Sequence, residues 1–344
     1  MKKTLNYLII LLCLNCNNVM DPNDNDDMIL DDTNDVIYIL CQGNFNSNNA
    51  TLHVFKDSTT WVENTGDVGQ TIARYNDKVL IVNNGSSNIV VYNDSSKVGS
   101  GLEYSTTIDL NGSQPREIEI IGNHAFVSQW INKSILKMNL DTYEYLEIPV
   151  SGSPEGLTTD GTYLYATILY KDAINYGPSN LIEKINIETN AVIATYTVSN
   201  SPEMIIFHND HLYVNSKYGP WGAYNYVTEK IDPINGTVVA RNDHGSDIAF
   251  GNDFAIINNK IYRSYNQGLV ALNDENLNIE LDSYIESTIN FTPISMEINK
   301  DKIYLGFSSD YLAPDTVEVL NLDGETITTY EVGAMPGAYL FKTY

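Results

Sequence analysis

Residues 151–169 read SGSPEGLTTDGTYLYATIL, and 48 residues after their start, residues 199–216 read SNSPEMIIFHNDHLYVNS. Each begins near a Ser-Pro-Glu, runs as a short apolar strand, turns at Asp-Gly or Asn-Asp, and resumes as a Leu-Tyr strand. Asn, Asp and Gly accept the positive φ of a tight hairpin, so each copy reads as two antiparallel strands. The turn and its following strand recur as NDVIYIL at Asn34, NDKVLIV at Asn76, GNHAFVS at Gly122, NNKIYRS at Asn258 and KDKIYLG at Lys300. With the turns at Asp160 and Asn209 there are seven copies, 38 to 49 residues apart.

Two more strands follow each copy, as LIEKINI and AVIATYTV do after Asp160, and a short strand precedes six of the seven turns. Four strands per repeat at this period define a β-propeller blade. The first copy lacks its preceding strand, whereas the chain finishes GAMPGAYLFKTY, a strand with no turn after it. Uniting the two ends in one blade would remove the open edge of the ring. The sequence therefore predicts an all-β, seven-bladed propeller over residues 34–344, its last blade closed by residues 337–344 beside the N-terminal strands of residues 36–64.

The segment before the propeller has a different composition. MKKTLNYLIILLCLNCNN carries Lys2 and Lys3 ahead of an apolar run too short to span a bilayer, which is the pattern of an export signal over residues 1–15. Cys16 stands where the apolar run stops, the position of the lipidated cysteine in bacterial lipoproteins, so an acyl anchor at Cys16 is expected; ordinary cleavage with Cys16 as a bystander is the alternative. Residues 16–33 are rich in Asp and Asn and read as an acidic tether. Within it, DPNDNDD has Asp26 and Asp32 where an EF-hand needs Gly and Glu. The chain has 19 Lys and Arg against 44 Asp and Glu; loss of residues 1–15 removes two lysines, leaving 17 against 44, or −27. Such a charge, with the cations scattered singly, disfavours nucleic acid as a partner. Cys41, at the end of VIYIL, reads as a core residue, and no disulfide framework is expected.

Ser-Pro-Glu falls where one blade crosses to the next. Five of the seven crossings carry a proline, whose fixed φ and missing N–H suit the first residue of a strand, so the motif marks a blade start. The aligned residues after it are Thr71, Arg116, Glu155, Glu203, Asp247, Ile294 and Gly337. Crossings share one face of a propeller with the loops joining second and third strands. Those loops contain Phe45, Trp130, Tyr170 with Tyr176, the cluster Tyr218, Trp221, Tyr224 and Tyr226, then Tyr265, and Phe307 with Tyr311. A hydrated polar mouth with turn-capping aromatics would account for each alone. Taken together, Arg116, Glu155, Glu203 and Asp247 among Phe45, Trp130, Tyr170, Tyr218, Trp221, Tyr265 and Tyr311 point to a ligand-binding rim.

Signals for catalysis are few. His208 and His211 flank a turn on the opposite face, His124 sits in a similar turn, and only His244 lies near the rim; no zinc site is expected. Neither a GxSxG nor a phosphate-binding loop occurs. A calcium ion among Glu155, Glu203 and Asp247 would serve a lactonase-type hydrolase, and that reading stays open as a lesser alternative.

Over residues 34–344 the chain resembles the YncE-like branch of seven-bladed propellers, through the Pro-Glu-Gly-Leu at Pro154 and strands such as LIEKINIETNAVIATYTV. VIYILCQGNFNSNNATLHVF is similar to the start of secreted Bacteroidetes members, with Cys41-Gln42 in place of Asn-Glu. Relatives in that group include BtuG-like surface lipoproteins that cap TonB-dependent transporters. The resemblance implies a non-catalytic lipoprotein, on the outer membrane or cell surface of a Gram-negative bacterium, that captures a small nutrient or cofactor (a corrinoid among the candidates) for such a transporter. From the residues themselves, no resident cofactor or metal is expected. A protein- or glycan-binding adhesion module is the alternative use of the same rim.

Overall fold

The computed structural model describes residues 35–56, 59–94, 101–220, 223–246 and 253–343. Cys16, the export signal and the tether lie outside the described residues, as do Trp221 and Asp247. The described strands form seven antiparallel sheets of four. Blade 1 joins Val36–Cys41, Ala50–Lys56 and Thr59–Gly66 to Pro336–Lys342. Blades 2 to 7 follow in chain order, opening at Gly69, Pro115, Ser153, Pro202, Phe254 and Ser295 and ending at Asp109, Pro149, Thr197, Gly245, Glu286 and Val332. This is the seven-bladed β-propeller expected from the repeat.

The hairpins form where the turn chemistry allows them. Asn209 and Asp210 have φ of 46° and 60°, and Asn258 and Asn259 have 49° and 66°, the two consecutive positive values of a type I′ turn. Turns between third and outer strands use a different device. Asn139, Asn186 and Asn273 each accept two backbone N–H groups with Oδ1, closing an Asx turn.

Burial explains why the strands do not alternate cleanly in sequence. A second strand such as Leu164–Leu169 is buried on both faces, because each sheet packs between two neighbours. Outer strands alternate, as Ala191–Thr197 does. The core accordingly lies between blades: Ile118, Val127 and Leu136 of blade 3 pack with Leu80, Val82 and Val91 of blade 2, and Tyr165 and Ile182 of blade 4 with Ile205 and Val214 of blade 5. Lysines bridge the blades on the face of the Asx turns. Lys137 Nζ reaches the Ile187 carbonyl (2.8 Å), Lys184 that of Pro233 (2.9 Å) and Lys230 that of Asp274 (3.2 Å).

The ring closes in blade 1. Val36–Leu40 pairs in unbroken register with Lys342–Ala338, so the C-terminal segment supplies the inner strand. Lys342 forms an ion pair with Asp94 of blade 2, and Tyr38 Oη–H donates to the same carboxylate (2.8 Å). Both charged side chains are almost wholly buried, at 2% and 0% exposure. Burial of unpaired charge costs several kcal/mol, so this contact holds the last strand to its neighbour blade only while both partners are present. Cys41, at the end of the strand Val36–Cys41 away from Lys342, is buried in the core, and burial pushes its thiol up to about 12.

Candidate ligand-binding site

The residues after the crossing prolines owe their placement to a repeated irregularity. In blade 3, Pro115 pairs with Gln129 and Ile118 with Val127, leaving Arg116 and Glu117 opposite Ser128 alone. Blade 4 does the same with Glu155 and Gly156 opposite Thr167, and blade 5 with Glu203 and Met204 opposite Asn215. A β-bulge of this kind turns a side chain out of the regular pleat. Its spare backbone groups are satisfied across blades. The Ser128 hydroxyl accepts from Glu117 N–H (2.9 Å) and donates to the Glu155 carbonyl (2.7 Å). Thr167 accepts from Gly156 N–H (2.9 Å) and donates to the Glu203 carbonyl (2.7 Å). Gly156 is required there, since a Cβ would stand 2.5 Å from that Glu203 carbonyl oxygen.

The bulge also corrects one alignment. Blade 2 bulges at Gln70, between the pairs Gly69–Asn83 and Thr71–Val82, so Gln70 rather than Thr71 corresponds to Arg116. Gln70 Oε1 accepts from Arg116 Nη1 (2.7 Å), while the Thr71 hydroxyl donates to Glu117 (3.0 Å).

Arg116 and Glu155 form one arm of the site. Arg116 Nε donates to both Glu155 oxygens (3.0 Å each) and Nη2 to Oε1 (2.6 Å). Trp130 Nε1–H donates to Glu155 Oε2 (2.7 Å), and the guanidinium carbon lies 4.4 Å from the indole centre. Two crossings hold the Trp130 backbone: its N–H donates to the Gln114 carbonyl (3.2 Å) and its carbonyl accepts from Ser153 Oγ (3.0 Å). Ser153 of the Ser-Pro-Glu motif therefore fixes a rim tryptophan. Burial opposes the charge on Arg116, but Glu155 overrides it and the guanidinium pKa is raised.

Lys217 and Glu203 form the second arm. They are ion-paired, with Glu203 almost buried, and the ammonium lies 5.0 Å from the centre of the Tyr224 ring. Burial raises the Glu203 pKa against the opposing pull of Lys217; on Lys217, burial is outweighed by Glu203 and the pKa rises. Glu117 lies on the same strand as Arg116, with Glu119 two residues further along, and burial pushes both carboxyls up to about 7.

These arms border a cavity of about 730 Å³ lined by Trp130, Tyr170, Tyr176, Pro178, Asn200, Ser201, Lys217, Tyr218, Gly219 and Tyr224. The Trp130 and Tyr176 rings both stand nearly perpendicular to Tyr170, at 77° and 84°, with centres 5.6 and 5.3 Å from it. The loop carrying Tyr176 is braced internally. Lys171 N–H donates to the Gly177 carbonyl (2.8 Å), Tyr176 N–H to the Asp172 carbonyl (3.2 Å), and Asp172 Oδ1 accepts from Ile174 and Asn175 N–H. Tyr218 Oη donates to Asp243 (2.9 Å). A cavity of this size with rigid aromatic walls falls in the range that encloses a small organic ligand.

Other predicted rim residues lie elsewhere. Phe45 is 64% exposed in the blade 1 loop, where the N–H groups of Asn46, Ser47 and Asn48 turn to the Asp67 carboxylate. Tyr265 packs edge-on against Tyr284 of its own blade, with ring centres 5.6 Å apart. Tyr311 is exposed, and its carbonyl accepts from Asn44 (2.8 Å). None of the three lines the cavity. Tyr226 is buried and packs with Leu272. His244 is buried against Thr228 (3.1 Å), and burial together with Arg263 lowers its pKa to about 4. Sequence reading missed Gln70, Lys217, Asn200 and Ser201. Lys217 is the penultimate residue of the strand His211–Tyr218, where a strand end beside an aromatic loop was the available signal.

No known family pattern and no curated protein matches the chain. Solved structures do. A 6-phosphogluconolactonase-type protein from Bacteroides uniformis is 12% identical with a TM-score of 0.65, over 90% of this chain and 100% of that one. One from Bacteroides fragilis is 13% identical with a TM-score of 0.62, over 94% and 100%. AztD from Citrobacter koseri is 9% identical with a TM-score of 0.58, over 90% and 98%. At these identities the likeness establishes a shared propeller fold; function has to be argued from the site.

Proposed function

We propose that this propeller is a non-catalytic capture protein for a small nutrient or cofactor, tethered to the outer membrane through a lipidated Cys16 and delivering its ligand to a TonB-dependent transporter. The observation that carries the reading is the aromatic cavity of blades 3 to 5, with Trp130 held in place by Glu155 and Arg116. Rigid aromatic walls fixed before the ligand arrives spare it much of the ordering cost of binding. The acidic segment after Cys16 and the export signal support the surface location. A corrinoid is the first ligand to try, by resemblance.

The likeness to lactonase-type propellers supports a second reading, metal-dependent hydrolysis. Against it, Arg116 occupies both Glu155 oxygens, so Glu155 does not stand ready as a base or cation ligand. Glu203 is ion-paired with Lys217 through one oxygen, leaving Oε2 alone unpartnered. Titration of the mature protein with corrinoids, haem, siderophores and oligosaccharides, read by tryptophan fluorescence and calorimetry, tests the capture reading. Saturable binding lost in Trp130→Ala supports it. Chelator-sensitive turnover of lactones, lost in Glu155→Gln, would overturn it in favour of the hydrolase.

A further inference from the structure

The charges bordering the cavity are already matched by the protein itself. Arg116 is neutralised by Glu155 and Lys217 by Glu203, and in both pairs each side chain is less than one-fifth exposed. A ligand anion would have to displace a buried carboxylate from its cation. Over longer range it would also approach a chain of net charge −25. A ligand cation would be drawn toward the protein by that charge, but two of the aromatic rings at the cavity already hold a cation. The Arg116 guanidinium lies over Trp130 at 4.4 Å and the Lys217 ammonium near Tyr224 at 5.0 Å.

The remaining polar groups are neutral. Among the lining residues Ser201 carries a hydroxyl, Asn200 an amide, and Tyr170 and Tyr176 phenols. The Tyr218 hydroxyl is committed to Asp243. Around these stand the ring surfaces of Trp130, Tyr170 and Tyr176. Flat apolar surface combined with uncharged hydrogen-bonding groups is complementary to a ring that is apolar on its faces and polar at its edge.

We propose that the cavity selects an uncharged ring of this kind, a neutral saccharide or a nucleoside-like heterocycle, and rejects charged counterparts of the same shape. The proposal rests on the capture reading and adds the ligand class. Its physical basis is that a buried ion pair resists losing one partner far more than it rewards a new one.

The test uses neutral and charged probes of closely related shape, measured by calorimetry on the mature protein: N,N′-diacetylchitobiose against its deacetylated, cationic form, and adenosine against its anionic monophosphate. At least one neutral probe should bind, about tenfold or more tighter than its charged partner, a difference of about 1.4 kcal/mol. Which pair responds tells the saccharide from the heterocycle. In Glu203→Gln, Lys217 loses its counter-charge, and the ratio of monophosphate to adenosine affinity should rise about tenfold. Lys217→Gln should shift the chitobiose ratio toward the cationic form, which keeps the rule testable if Glu203→Gln folds poorly. Equal or tighter binding of the charged probes overturns the charge rule, as does no binding of either neutral probe at millimolar concentration. Trp130-dependent binding of an anionic siderophore or haem would also overturn it while leaving the capture reading standing, so the two can fail separately.

Discussion

Two regions of this ring use the same chemistry for different ends. In the closing blade, Lys342 and Asp94 are an ion pair sealed from solvent, with Tyr38 as a third member. On blades 3 to 5, Arg116–Glu155 and Lys217–Glu203 are pairs of the same kind that keep some exposure and stand among aromatic walls. The first pair is sealed from solvent between blades 1 and 2 and serves closure. The second set borders 730 Å³ of accessible space and fixes the orientation of a tryptophan. An ion pair therefore says little about function until its surroundings are known. Here the bulges, the loop of residues 171–177 in blade 4, and Gly219 and Tyr224 of blade 5 make the difference.

The largest effect should come from breaking closure. Truncation after Val332 removes the inner strand of blade 1, and the truncated chain should lose its cooperative thermal transition in circular dichroism; a sharp melt would sink the closure account. Lys342→Ala, which strands Asp94, should destabilise by about 3–5 kcal/mol in urea unfolding. Glu155→Ala strands a more accessible arginine and frees the Trp130 indole, so its stability loss should be smaller, about 2 kcal/mol, while ligand affinity falls at least about tenfold. If the ranking of Lys342→Ala and Glu155→Ala is reversed, the distinction between latch and site fails.

Acidity gives a third contrast. Burial raises the Glu117 and Glu119 carboxyls to about 7, and Glu297 of blade 7 likewise to about 7. Their folded-state values exceed the ordinary value of 4.5, so the folded chain holds these protons where the unfolded chain has released them. Their stabilisation is complete below about 4.5 and is lost as pH rises through about 7. The melting temperature should fall between about pH 5 and pH 8, and Glu117→Gln should reduce the slope. An unchanged slope in that variant would show that Glu117 is charged at both ends of the range. The smallest effects belong to the exposed rim outside the cavity. Phe45→Ala should stay within about 0.5 kcal/mol of the parent in stability and should not alter ligand affinity, whereas Tyr170→Ala should weaken binding.

Much of the architecture could be read from local pattern. The Asn-Asp and Asn-Asn turns, the prolines at strand starts and the spare C-terminal strand each express short-range chemistry, and the structure places them as expected. The site was legible only in part. Arg116, Glu155, Trp130, Tyr170 and Tyr218 were visible as rim residues, but nothing local separates Tyr170 from Tyr265, one lining the cavity and the other packed on Tyr284. Lys217 and Gln70 were missed because their partners are 14 and 46 residues away. The one-residue slip that aligned Thr71 with Arg116 arose from a bulge, which spacing along the chain does not reveal.

The sequence by itself determined the number of blades, the four-stranded unit and the way the ring closes, because turns and strands answer to neighbours within a few residues. Only the tertiary structure decided which aromatics share a cavity and which charges neutralise one another. Those choices depend on bulges that re-aim side chains and on contacts between blades, where groups far apart in the chain compete for the same partner.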